Sequence, residues 1–140
     1  MSRVRQPVGR KGSLKWIQRA IAFRPDLIQP EVLPEITWVS PLVDDEFAEY
    51  RDGDFVRKLG LPELAPNLRE FWPRGGPQWD ALGVFPGAVV LAEAKAHLAE
   101  FASPRSQASE ASRIRIEAAF LRVKSDLGVS SEIAWTEHYY

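Results

Sequence analysis

The chain has 140 residues, 45% of them apolar and 26% charged, with a formal net charge of −1, which fits one globular domain rather than a disordered segment. It contains no cysteine, which excludes a disulfide scaffold, a Cys-ligated zinc site and a Cys nucleophile, and agrees with a reducing, cytoplasmic setting. No run approaches the roughly 18 apolar residues of a membrane-spanning helix, and the basic N-terminus lacks the apolar core of a secretory signal.

Residues 1–12 read as a flexible basic arm. Arg3, Arg5, Arg10, Lys11, Lys15, Arg19 and Arg24 all precede the first acid, Asp26, and arginine outnumbers lysine 13 to 5. Such an arm suits nucleic-acid phosphates, or simply a solvated terminus. The remainder, residues 13–140, reads as a single domain. Ser13 is a candidate N-cap for a short amphipathic helix carrying Leu14, Ile17 and Ile21, which must stop before Pro25. Pro25, Pro30 and Pro34 predict an extended crossing, and Ile36–Val39 a short strand halted by Ser40-Pro41. The acidic run Asp44-Asp45-Glu46 predicts a helix N-terminus, with Phe47, Tyr50, Phe55, Val56 and Leu59 following, a bend at Gly53 and an end at Gly60.

Residues 61–77 are proline-rich, with Phe71-Trp72 as an apolar plug. Two strands are expected next, at about 78–84 and 88–96, because Gly87–Ala92 is an apolar run entered from a Pro-Gly turn. All 11 prolines lie at or before Pro104, so the rest of the chain is open to a long helix. Ala111, Ile114, Ala118 and Leu121 recur at helical spacing from Ser106 to about Leu127, with Gly128 just beyond. Residues 134–140 read as the opening of another helix. The tryptophans are most simply core residues.

Chemistry is suggested at residues 77–97. A strand reaching Ala94–Ala96 points Glu93 and Lys95 to one face. If the Asp80 segment pairs beside it, two carboxylates and an ammonium converge, a set able to hold a divalent metal and activate water. With 12 Glu and 5 Lys in the chain, chance alone yields about 0.4 Glu-x-Lys matches, so the tripeptide by itself is weak. Residues 92–101 are also good helix formers, and as a helix would pair Glu93 with His97 and need no function.

This segment resembles the active-site signature of the PD-(D/E)XK nuclease superfamily: an acid at a strand end, a short loop, then Glu or Asp, any residue, and Lys on the next strand. Leu33–Leu42, Phe71–Leu82 and Glu93–His97 are similar to uncharacterised bacterial members, so that the likeness spans most of residues 13–140. It implies an α/β, restriction-endonuclease-like fold, a small mixed sheet flanked by helices. It also implies metal-dependent cleavage of DNA phosphodiesters with Mg²⁺ or Mn²⁺ as cofactor. On this mapping Asp80, Glu93 and the Ala94 carbonyl bind the metal, and Asp80, Glu93 and Lys95 are catalytic. Glu49, from a helix before the strands, is an accessory acid, and His97 a further accessory. Trp79 stands where the pattern has proline. The family usually continues past a Tyr-Tyr pair such as Tyr139-Tyr140, so the domain is expected to be truncated and incomplete at its C-terminus, with exposed apolar surface that could join copies into a homo-oligomer. The rival readings are an inactive nuclease-like module that binds a protein partner or nucleic acid, and a plain helical domain with 92–101 helical.

Overall fold

Pro86 and Gly87 reverse the chain in two residues. Proline presets its own φ, and Gly87 sits at φ 82°, a left-handed conformation that side chains resist. The turn joins β4 (Ala81–Phe85) to β5 (Ala88–Ala92), paired antiparallel in register from Phe85 opposite Ala88 to Ala81 opposite Ala92. On the other edge of β4 lies β2 (Thr37–Ser40), also antiparallel, with an irregularity between Trp38 and Ser40. Gly83 permits this approach: a Cβ there would stand 2.5 Å from Cγ2 of Ile36.

The computed structural model describes residues 2–72, 74–98, 108–130 and 135. Among these it shows a mixed α/β arrangement of two small antiparallel sheets and four helices. The first helix, α1 (Gly12–Phe23), precedes β2; α2 (Asp52–Lys58) and α3 (Ala65–Phe71) lie between β2 and β4; α4 (Glu110–Asp126) follows β5. The second sheet pairs β1 (Arg3–Val4) with β3 (Glu49–Tyr50).

Strand alternation sorts the core into two layers. Ala81 faces α1 and packs with Ile17 and Ile21, joined by Trp38, Ala92 and Ala94. Leu82, fully buried, faces the opposite way into Ala48, Tyr50 and Leu59, with Val39, Phe55, Trp79 and Val84 around them.

Several sequence expectations change. The arm is docked, not free: β1 pairs with β3, Gly9 N–H donates to Gln18 Oε1 at 2.8 Å, and Arg3 and Arg5 form ion pairs with Asp45 and Glu46. The helix expected from Asp44 onward is three elements. Val43–Asp45 is one turn of 3-10 helix, Glu46 and Phe47 take φ of 54° and 50°, and the chain then extends into β3 before α2 begins. Two consecutive left-handed residues cannot continue a helix. Asp45 is consequently a hub, accepting from Arg3, Lys58 and Tyr50. Burial pushes its carboxyl up, but Lys58, Tyr50 and Arg3 outweigh that and hold it down at about 2.

Ser13 is not the cap of α1, which starts at Gly12 after Lys11 without a side-chain cap. Strand β5 ends at Ala92 rather than near Ala96, and residues 93–95 are not helical. Helix α4 starts at Glu110, capped by Ser109, and ends before Gly128 at φ 64°. Its Ala111, Ile114, Ala118 and Leu121 are exposed, while Ile116 and Ala119 on the other side are buried. The expected start at Ser106 and most of residues 134–140 fall outside the described residues.

Because Leu82 is 0% exposed at the centre of the larger cluster, Leu82→Ala should destabilise the fold by about 2–5 kcal/mol. Urea unfolding followed by circular dichroism measures this; a change under about 1 kcal/mol would show that the cluster is not the core.

Candidate active site

The hairpin register determines where the acids fall. Ala81 and Ala92 are partners, so Asp80 and Glu93 are the next residues outward on each arm. The connection is direct: the Ala94 N–H donates to Asp80 Oδ2 at 2.7 Å. Ala92 and Ala94 pack on the α1 side. Alternation therefore sends Glu93 and Lys95 to the opposite side, where Lys95 Nζ and Glu93 Oε1 form an ion pair at 2.5 Å.

A third acid arrives from the other sheet. Trp79 N–H donates to the Tyr50 carbonyl at 3.1 Å, an isolated antiparallel bridge that ties β3 to the segment entering β4. This brings Glu49 beside Gln78. Glu49 is 4% exposed, and a charge so deeply buried needs hydrogen bonds. It has two: Gln78 Nε2 and Gln6 Nε2 both donate to Oε2, at 2.5 and 2.7 Å. The Gln6 contact explains why the N-terminal segment is held down.

Burial nevertheless pushes the Glu49 carboxyl up to about 6, against the two amides and with help from the negative charges of Asp80 and Glu93. The three carboxylates thus lie within each other's electrostatic reach. Among the described residues, no three His, Asp or Glu side chains converge tightly enough to hold a metal between them. A cation held there would have as candidate donors the Asp80 and Glu93 carboxylates at the hairpin end and the Ala94 carbonyl, a small set of the kind magnesium accepts because it retains several waters.

Each expected residue has a definite place. Asp80 precedes β4. Glu93, Ala94 and Lys95 extend β5 beyond its last paired residue. Glu49 is on a short strand, not on a helix as the resemblance implied, because the left-handed Glu46 and Phe47 end the preceding turn. His97 is exposed on the bend that follows Lys95. The two glutamines were missed. Amide side chains carry no distinctive sequence signal, and Gln6 lies 43 positions from the acid it supports.

Comparison with protein-family models, curated proteins and solved structures finds no match to this chain.

The raised carboxyl of Glu49 has a thermodynamic consequence. A folded-state value of about 6 against an ordinary 4.5 means that folding favours the protonated acid. Its contribution is full below about pH 4.5 and is lost as pH rises through about 6, by roughly 2 kcal/mol. Glu49→Gln keeps an acceptor for both amides without the charge. It should therefore raise stability at pH 7.5 by about 1–2 kcal/mol and have little effect at pH 4. Thermal melts at both pH values check this, and equal shifts at the two would contradict it.

Proposed function

We propose that the chain is a metal-dependent phosphodiesterase acting on DNA, with Asp80 and Glu93 as metal ligands and Lys95 as the catalytic cation. The observation that carries this reading is the hairpin register. It sets Asp80 against Glu93-Ala94-Lys95 and pins Asp80 through the Ala94 N–H, beside a buried acid whose carboxyl is pushed up chiefly by burial, with the charges of Asp80 and Glu93 adding to it. Crowded negative charge of this kind is relieved by a divalent cation. Such an ion supplies Lewis acidity and lowers the pKa of coordinated water.

The chain's own groups have separable tasks. Asp80, fixed by a 2.7 Å hydrogen bond, is a preoriented ligand rather than a swinging side chain. Lys95 is drawn to the site by Glu93. There its ammonium orients the attacking water and offsets charge that builds on the phosphoryl oxygens. Water oxygen bonds to phosphorus, the bond from phosphorus to the departing sugar oxygen breaks, and that oxygen takes a proton from solvent. The attacking water gives up its proton to solvent, and Glu49, buried beside Asp80 and Glu93, is the accessory acid whose negative charge adds to theirs.

With Mg²⁺ or Mn²⁺, purified protein should cut DNA, and Ca²⁺ should not substitute. Asp80→Ala, Glu93→Ala and Lys95→Ala should each lower the rate by at least about a hundredfold, without additivity, because the groups act as a unit. Gel assays on linear and circular DNA measure this. Cleavage that persists in Glu93→Ala would place the activity elsewhere, and metal binding without any cleavage would favour a non-catalytic nucleic-acid-binding module.

A further inference from the structure

On the sheet face that carries Leu91 and Glu93, a cavity of about 720 Å³ opens between α2, α3, α4 and the segment entering β4. That volume falls in the range of small-molecule sites, about 300–1,000 Å³. Its walls are aromatic and cationic at once: Trp72, Trp79 and Phe120 line it together with Arg51, Arg69 and Arg74. Trp72 and Phe120 meet edge to face with centroids 5.4 Å apart, as do Phe55 and Trp79 at 6.1 Å.

The charge in this cavity is one-sided. Asp52 is the acidic residue among those lining it, and its Oδ1 accepts from the Gly75 and Gly76 N–H groups at 3.1 Å each. Arg57 also lines the cavity but is paired with Asp54 at 2.8 Å. Arg69 and Arg74 are exposed where they line the cavity. An apolar ligand would desolvate these guanidinium groups without offering them an acceptor. A bare anion would leave the aromatic walls unused.

We infer that the cavity binds a nucleotide, its base against the aromatic walls and its phosphate on the arginines. Flat π-systems stack on Trp and Phe without regard to base identity, and guanidinium forks match phosphate oxygens. Position adds a further point. Arg51 lies two residues from Glu49, Trp79 is adjacent to Asp80, and Leu91 lies two residues before Glu93. The cavity therefore opens from the same three segments that carry the acids. Nucleotide binding stands on the cavity alone. That the nucleotide belongs to the strand cut at Asp80 and Glu93 rests on the function proposed above, and would make the substrate a single-stranded or locally unpaired nucleic acid.

The test is calorimetric titration of the full chain with each of the four deoxynucleoside monophosphates, the corresponding nucleosides and inorganic phosphate. At least one monophosphate should bind saturably, one per chain, about tenfold or more tighter than its nucleoside and than phosphate. The double variant R69A/R74A, altered at two exposed positions, should weaken that binding about tenfold with unchanged circular dichroism, and Trp72→Leu should also weaken it. Asp80→Asn should bind the monophosphate normally, so loss of cleavage and loss of binding are separately visible. No saturable binding up to about 10 mM, equal binding of nucleoside or of phosphate, or binding unchanged in R69A/R74A would each overturn the inference.

Discussion

The pairing of Ala81–Phe85 with Ala88–Ala92 is the constraint on which the remaining geometry depends. A shift of β5 by one residue would exchange its two faces. Ala92 would lose its place beside Ala81 against Ile17 and Ile21. The same shift would part Asp80 from the Ala94 N–H. Core packing and the alignment of the acids are therefore fixed by one register, and the tight Pro86-Gly87 turn admits little slack in it.

Charge is allocated unevenly around this frame. Asp45 collects Arg3, Lys58 and Tyr50 and is held far below the ordinary carboxylate range, so it is a stabilising anchor that ties β1 to α2. Glu49, four residues later, is pushed the opposite way by burial, with the charges of Asp80 and Glu93 adding to it and the Gln78 and Gln6 amides opposing it. Two acids close in sequence thus titrate in opposite directions, one held down by cations and the other pushed up by burial. The arginines have a comparable division. Arg3 and Arg57 are matched with acids, whereas Arg51, Arg69 and Arg74 line a cavity with aromatic walls.

What could be read from the sequence was what local physics decides. The apolar run after Pro86-Gly87, the amphipathic pattern of α1 and the Gly128 that follows α4 all announce themselves within a few residues. Asp80, Glu93 and Lys95 could be singled out because the hairpin that brings them together is itself local. Elements that need distant partners were not legible. Strand β1 is two residues long and exists because β3, 45 positions on, accepts it. Glu49 reads as helical until Glu46 and Phe47 adopt left-handed backbone. Helix α4 buries Ile116 and Ala119 and sets Phe120 against Trp72, just past the end of α3, distant contacts that periodicity alone does not show, so it favoured the wrong side of that helix.

On the proposed function, Asp80 and Glu93 together bind one divalent cation. Titration with Mn²⁺ followed by electron paramagnetic resonance tests it directly and without reference to any substrate. One bound ion per chain is expected in the native sequence, displaced by Mg²⁺, with loss of that stoichiometric site in both Asp80→Ala and Glu93→Ala while the fold melts cooperatively. Mn²⁺ binding that survives either substitution, or its absence from the folded native chain, would rule out a shared site at Asp80 and Glu93.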